Sequence, residues 1–353
     1  KNLFKSIFIV RNKIMTKNVR WGLIGYGKFA KRIEKSFKEA QLASLHSIAS
    51  RSFYEKNFSE NNVKDKIIYS SYLDLIHNKE IKNVYIATTN NLHKDLIIES
   101  AKNGKNIICE KPACLNEKDF SKCTSIIKEN NVFFMEGLMY LHHPQIIKSI
   151  QIIKNGEIGK IKKIVASFGY KVGKKILFFE LKKIDKNSRI FNPDLGGGAI
   201  YDLGCYPLTS TLLYFNLEGD NQIVDSKFYR DDGRYGVDES ANANLYFSCG
   251  GEASINVSIR KNLENTIEIY GSKGKIKILY PWLTPMDSYI ELQKDGESIR
   301  INNPIKKDIY TLELDNASKA ILQNKKEIDF PGANTKRSLK YIKILEKWRK
   351  ANI

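Results

Sequence analysis

The apolar run VRWGLI, Val19 to Ile24, breaks into Gly25-Tyr-Gly-Lys-Phe-Ala30 and then into an amphipathic stretch, KFAKRIEKSFKEA. A buried strand that turns on glycine directly into a helix opens a strand–helix–strand unit, which implies a parallel sheet with crossover helices. Gly25 permits a tight turn, Gly27 lets backbone come close to a phosphate, and Ala30 lets the helix pack on the strand. Tyr26, Lys28 and Phe29 complete the loop. The free amides and positive dipole end of the helix suit a pyrophosphate. The loop therefore reads as a dinucleotide site, with an ordinary strand–helix turn as the plain alternative.

The pattern repeats. LHSIAS, KNVYIATT, KNIICE and NVFFME read as buried strands separated by helical stretches such as LHKDLIIESAKNG, where Gly104 stands at the helix stop. After PQIIKSIQIIKNG come longer strand-like runs, KKIVASFGYKV, ANANLYFSCGGEASINVSIR, NTIEIYGSKGKIKILY and SYIELQKDGESIRI, with turn signals at GSKG and KDG. A chain of 353 residues exceeds the size at which one core is usual. The expected organisation is α/β: a doubly wound Rossmann domain over 19–136, then an α+β domain over 137–353 with a large, mostly antiparallel sheet. The final helix, in TKRSLKYIKILEKWRKA, can dock on the first domain. Residues 1–18 read as an extension, expected to be disordered, with no function assigned.

The end of the second strand selects the cofactor. NAD sites place an acid there for the ribose hydroxyls. This chain has Ser50, Arg51 and Ser52 instead. An arginine pairs with a 2′-phosphate and serines donate to it, so NADP is expected, with NAD left open. The strand KNIICE runs into Glu110-Lys111-Pro112, which places Lys111 at the carboxyl end of a parallel strand, where ligands of such sheets bind. In GGGAIYDLGCYP, a helix starting near Ala199 would put Asp202 and Tyr206 on one face. Three consecutive glycines before it imply a close backbone approach.

The formal net charge is +19, but the lysines are spread along the whole chain with no basic block interleaved with aromatics, so nucleic acid is not expected as a partner. No apolar run approaches a membrane span. The five cysteines include no C-x-x-C pair, which argues against zinc or a disulfide framework and for a reducing, cytoplasmic setting. No metal is expected.

In order and spacing, VRWGLIGYGKFA, VYIATTNNLHKDLIIESAKNGKNIICEKP, FFMEGLMYLHHPQ, NPDLGGGAIYDLGCYP and IYGSKGKI resemble the glucose–fructose oxidoreductase, inositol dehydrogenase and rhizopine-catabolism (Gfo/Idh/MocA) family. The resemblance covers the chain from Val19 onward and is nearest the branch of dihydrodiol and NADP-xylose dehydrogenases. It implies NAD(P)-dependent hydride transfer at a sugar or polyol carbon. Lys111 would lie beside nicotinamide and substrate, with Asp202 and Tyr206 contributed by the second domain and Gly196–Gly198 closely approaching the cofactor. Tyr206 would carry the substrate hydroxyl proton, its phenol brought down by Lys111, while Asp202 would accept from a substrate hydroxyl. Thr88, Asn90 and His93 would line the nicotinamide pocket; a helix-capping Asn and a surface His are the plain alternatives. Glu110 would bind ribose or pair with a lysine. Arg189 would reach substrate or brace the glycine run, and the bracing role is preferred. Leu141 stands where relatives carry a basic residue, and His142 or His143 would have to compensate. The resemblance also implies a homodimer or dimer of dimers, through an apolar face of the antiparallel sheet. A nucleotide-sugar dehydrogenase and a non-catalytic sugar sensor are the other readings.

Overall fold

The computed structural model of the chain describes residues 18–51, 66–172, 175–176, 179–180, 188–217, 219–233 and 235–351. All but one residue of the expected N-terminal extension lies outside these, as does Ser52. The chain begins with β1 (Val19–Ile24), α1 (Lys28–Glu39), β2 (Ala43–Ala49), β3 (Ile67–Tyr69), α2 (Tyr72–His77) and β4 (Asn83–Ile86). It continues with α3 (His93–Lys102), β5 (Asn106–Glu110), α4 (Glu117–Glu129) and β6 (Phe134–Gly137). These strands form one parallel sheet in the order β3-β2-β1-β4-β5-β6. β4 and β6 are buried at every residue, which is why they read as unbroken apolar runs. The strand order reverses between β1 and β4, and this opens a crevice at the carboxyl ends of the sheet. Gly25, Thr88 and Lys111 lie just beyond β1, β4 and β5. β3 is a three-residue edge strand, too short and too exposed to announce itself by pattern.

After α5 (Pro144–Lys154) the chain builds its second sheet. It comprises β7 (Ile161–Gly169) and, after a two-residue pair β8 (Lys175–Ile176) and β9 (Phe179–Glu180), the strands that follow α6 (Cys205–Phe215). Those are β10 (Ile223–Asp232), β11 (Asp238–Phe247), β12 (Glu252–Ser258), β13 (Leu263–Gly271), β14 (Gly274–Leu279), β15 (Asp287–Lys294) and β16 (Glu297–Pro304). The order is β10-β11-β12-β7-β13-β14-β15-β16, antiparallel except between β7 and β12. Asp295 and Gly296 both take positive φ between β15 and β16, the tight hairpin turn announced by KDG.

Side chains alternate across a strand, and the apolar set of this sheet faces α5 and α6: Ile164, Ala166 and Phe168 on β7, Ile255 and Val257 on β12. That leaves Ser167, Asn242, Asn244, Ser254 and Asn256 on the other face, with ion pairs such as Lys163–Glu252 at 2.8 Å and Lys275–Glu268 at 2.6 Å. The apolar sheet face expected for self-association is therefore polar, because its apolar alternates are already buried under the helices. The last two helices, α7 (Ile309–Leu322) and α8 (Thr335–Arg349), return to the first sheet. Trp21 on β1 donates through Nε1 to Ser318 at 3.0 Å, and Glu346 of α8 accepts from the Glu117 amide at 2.8 Å.

Candidate active site

The first glycine loop is held by its neighbours. Gly25 adopts φ +93, and a Cβ there would meet the Ala87 carbonyl oxygen at 2.7 Å, so only glycine fits between the ends of β1 and β4. Gly27 is the opposite case: a Cβ on it would meet nothing within 4 Å. It is the N-cap of α1, provides no side-chain cap and has no acid in the following turn. Among the described residues neither a capping side chain nor an acid of the first turn competes for the first amides of α1, the arrangement that suits a pyrophosphate. Lys28 is exposed beside it and Ala30 is buried against the sheet. Tyr26 is turned inward, its hydroxyl donating to Glu34 at 2.5 Å, and Phe29 packs edge-on against Tyr310 of α7 at 5.4 Å. At the end of β2, Ser50 is buried and Arg51 lies exposed with its guanidinium 5.2 Å over the Tyr72 ring. Among the described residues Arg51 has no ion-pair partner, so its charge is available for a 2′-phosphate. These residues fit a phosphorylated dinucleotide.

Across the crevice stand the second half's contributions. The segment Ile200–Gly204 is a turn of π-helix that runs into α6, and the widened turn sits at the point where Asp202 and Tyr206 project. Lys111 meets both. Its Nζ donates to the Asp202 carbonyl at 2.6 Å, lies 3.6 Å from Asp202 Oδ1 and stands 4.6 Å from the centre of the Tyr206 ring. Asp202 is further held by Arg189, which donates to Oδ1 at 2.9 Å, and by Tyr170, just past β7, whose hydroxyl donates to Oδ2 at 2.8 Å. Burial alone would raise the Asp202 carboxyl; Lys111, Arg189 and Tyr170 outweigh it and hold Asp202 well below the usual carboxylate range. Both Asp202 oxygens are thus engaged by protein, Oδ1 by Arg189 and Oδ2 by Tyr170.

Tyr206 does not behave as the resemblance implied. Its phenol is pushed well above the usual range by burial, and by Cys205, Glu110, Asp202 and Glu313 in turn. Lys111 does not reverse this, because its ammonium lies over the ring face and is hydrogen-bonded to the Asp202 carbonyl. Lys111 itself is raised: burial works against its charge, but Cys205 and Asp202 more than offset that. Both groups therefore hold their protons at neutral pH. Among the described residues the Tyr206 hydroxyl has no hydrogen-bond partner, while its ring is wedged edge-on between Tyr140 at 6.1 Å and Phe168 at 5.7 Å.

The other sequence candidates fall in several places. The three glycines closely approach protein: a Cβ on Gly196 would meet Leu115 at 2.7 Å, on Gly197 the Ile190 carbonyl at 2.6 Å, and on Gly198 Asp238 Oδ1 at 2.3 Å. Arg189 lies against the glycine run, its own carbonyl crowding Gly197, while its half-exposed side chain holds Asp202. Asn90 is buried and donates to the Gly196 carbonyl at 3.0 Å, tying the first sheet to the glycine run instead of capping a helix. His93 is fully buried, not superficial; Nδ1 lies 2.9 Å from the Pro112 carbonyl and Nε2 3.3 Å from that of Thr88. Burial depresses it to about 4, so it is neutral and braces the loop that carries Lys111. Glu110 pairs with no lysine: its carboxyl accepts from Tyr85 at 2.6 Å and is lifted by burial to about 7. His143 caps α5, accepting from the Gln145 amide at 3.0 Å, and His142 meets Asn316 of α7 at 3.2 Å. Leu141 is buried, lining a cleft of about 300 Å³ with Thr209, Leu212 and Arg337. Among the described residues no three His, Cys, Asp or Glu side chains are grouped to hold a metal.

Residues 19–138 match the model of the oxidoreductase family with NAD-binding Rossmann fold, and residues 147–277 match the GFO/IDH/MocA C-terminal domain. The trans-1,2-dihydrobenzene-1,2-diol dehydrogenase of Xenopus tropicalis is 30% identical over 262 residues, covering 73% of this chain and 74% of that protein. The chain belongs to the Gfo/Idh/MocA oxidoreductase family. This oxidoreductase is also 28% identical to a D-xylose 1-dehydrogenase (NADP(+)) of Hypocrea jecorina, over 69% of this chain and 64% of that one. Its fold matches a crystal structure of aldose-aldose oxidoreductase from Caulobacter crescentus, TM-score 0.81 at 22% identity, covering 94% and 96% of the two chains. The sequence reading of this family member overlooked Tyr170, Tyr85 and Glu313. Tyr170 follows an apolar strand by one residue with no motif around it. Glu313 did leave a signal: it is an acid in the apolar register of IYTLELDNASKAIL, beside Ile309, Tyr310, Leu314 and Ala317.

Proposed function

We propose that the protein is an NADP-dependent oxidoreductase that interconverts a hydroxyl and a carbonyl on a sugar or polyol carbon, with Lys111 and Tyr206 at the reacting group and Asp202 positioning them. The observation that carries this reading is the meeting of Lys111 and the otherwise unpartnered Tyr206 at one crevice, 4.6 Å apart. Bound nicotinamide supplies the redox chemistry, exchanging a hydride with the substrate carbon. Lys111 donates toward the substrate oxygen and stabilises its negative charge. Tyr206 donates its proton to that oxygen in reduction and takes it back in oxidation. Because both groups hold their protons at neutral pH, the site is set as a donor pair for a carbonyl oxygen. Arg51 and Ser50 at the end of β2 select the 2′-phosphate. Thr88, Asn90 and His93 shape the wall beside the nicotinamide, with Asn90 and His93 acting through backbone they hold.

The test is nicotinamide absorbance followed with NADPH and NADP against aldoses, ketoses, polyols and nucleotide-linked sugars. Turnover on free sugars supports the reading, turnover confined to nucleotide-linked sugars moves the substrate class, and no turnover on any of them overturns it. The domain division at about residue 137 follows the two sheets. For assembly we infer a homodimer formed through the open, polar face of the large sheet, and light scattering that gives a monomer at micromolar concentration contradicts it. A cytoplasmic setting fits five unbridged cysteines.

A further inference from the structure

Behind Lys111, away from Asp202, three titratable side chains from three elements meet in the interior. Tyr85 of β4 is fully buried, and its hydroxyl lies 2.6 Å from Glu110 Oε1 at the end of β5 and 3.3 Å from Glu313 Oε2 on α7. Glu313 is fully buried as well, and its Oε1 has no partner. Among the described residues neither carboxyl has a cation within ion-pair distance.

Counting protons assigns the states. A phenol has one proton, and its oxygen otherwise accepts. The shorter contact takes that proton, so Tyr85 donates to Glu110. The contact between Tyr85 and Glu313 is then favourable only if Glu313 is the donor, which requires a protonated carboxyl. An ionised Glu313 would set a second carboxylate on one phenol in a dry interior; Lys111 and Arg189 favour charge on Glu110, not on Glu313, so this arrangement has a high cost. The direction of titration agrees: burial, then the charge of Glu110, raise Glu313 well above the usual range.

We propose that Glu313 is a positioning residue of the active crevice, held as a neutral acid that donates through Tyr85 to Glu110, so that at most one negative charge stands behind Lys111 and Tyr206. The groups facing it are Tyr85 from β4, Glu110 from β5, Tyr310 and Asp308 from α7 itself, and Tyr206 from α6, with Arg32 of α1 stacked on Tyr310 at 4.7 Å. His142 lies on the same helix's side but meets Asn316. When Glu313 loses its proton, a second charge enters the pocket, and Tyr206 and Lys111 hold their protons more tightly still. The inference on catalysis rests on the oxidoreductase reading above; the assignment of the proton does not.

Infrared difference spectra of the cofactor-free protein test the assignment. A protonated-carboxyl stretch is expected that persists above about pH 7, where Glu110 and Glu136 titrate, and that is missing in Glu313→Gln and retained in Glu110→Gln. Absence of that component, or its loss only in Glu110→Gln, overturns the proposal. Should Glu313→Gln fail to fold, alkaline titration of the wild-type band gives the same decision: a buried-acid component must remain after Glu110 and Glu136 have titrated near pH 7 and bleach only at higher pH, and its absence there overturns the proposal. With cofactor and a turned-over sugar, Glu313→Gln should move the limb of the kcat/KM profile to lower pH with KM for the sugar unchanged, since the amide donates to Tyr85 but cannot ionise. An unmoved limb with the infrared component confirmed would reject the link to catalysis while leaving the proton where it was assigned.

Discussion

In the proposed mechanism Lys111 and Tyr206 divide the work by charge and proton. The ammonium is held in place by Asp202, and the phenol is kept neutral by burial, so the two act together only when an oxygen arrives between them. Tyr206→Phe removes the proton and leaves the ring contacts with Tyr140 and Phe168 intact. It should lower kcat by about 10²–10³-fold with cofactor affinity and Tm unchanged, read by steady-state kinetics and fluorescence titration. Asp202 offers a different test, through pH. Its folded carboxyl titrates far below the unfolded value of about 3.9, so its stabilisation is present above that value and lost as pH falls through the folded one. Asp202→Asn leaves Lys111 and Arg189 without their counter-charge and should cost about 3–5 kcal/mol at neutral pH. The gap to wild type should narrow below about pH 4. Urea melts at neutral and acid pH compare the two, and a gap independent of pH would contradict the network. At Arg51, substitution by alanine should weaken NADP binding about tenfold or more by removing a charge-assisted contact, with NAD affinity unmoved. Calorimetric titration with both dinucleotides decides it.

The elements show which parts of this site could be read in advance. The cofactor loop was legible because its constraint is local: a glycine with φ +93 between two strand ends and a glycine at a helix start are adjacent in sequence. Lys111 was legible because a parallel strand always delivers its last residues to the crevice. The π-turn at Ile200–Gly204 was not, since i+4 spacing looks the same in the sequence whether the turn is α or π. Nor were Tyr170 and Glu313, which reach the site from β7 and α7 by tertiary packing alone. The glycine run was noticed for the right reason, a close backbone approach, and protein crowds all three glycines. Asp238 of β11 accepts from the Ile200 amide at 2.6 Å and pairs with Arg349 of α8 at 3.2 Å, so it caps the turn that carries Asp202. Gly198 adopts φ +109 directly over that carboxylate. Gly198→Ala combines a forbidden backbone region with a clash and should cost about 2–4 kcal/mol, while lowering kcat by displacing Asp202 and Tyr206 together. Chemical denaturation and kinetics on the same preparation measure both, and a variant as stable as wild type would mean the turn tolerates a Cβ that the packing excludes.

Although the family divides the chain into two matched halves, the molecule ties them at both ends. Trp21 in the centre of the first sheet donates through Nε1 to Ser318 of α7, and the amides of Gln41 and Leu42 are accepted by Asp315 of the same helix at 2.8 and 2.7 Å. On the other side of the sheet, Glu136 of β6 is buried, accepts from the Ala113 amide at 2.7 Å and from the hydroxyl of Tyr341 on α8, and is raised by burial to about 7. Segment 326–333 lies against β6, giving the Lys326 carbonyl to the Phe134 amide and the Ala333 carbonyl to that of Glu136. Without the last two helices, the first sheet would expose Trp21, open the edge of β6 and lose the Tyr341 donor to a buried acid. Each loss is of the kind that costs about 1–3 kcal/mol, and several together approach the whole stability of a domain. The two halves should therefore unfold as one unit. Full-length protein is expected to give a single transition, coincident by far- and near-ultraviolet circular dichroism, and a fragment ending at residue 138 should show none. A fragment that melts cooperatively at a temperature near that of the whole chain would show that α7 and α8 only rest on the first sheet, and the coupling of Glu313 to the crevice would then lack its scaffold.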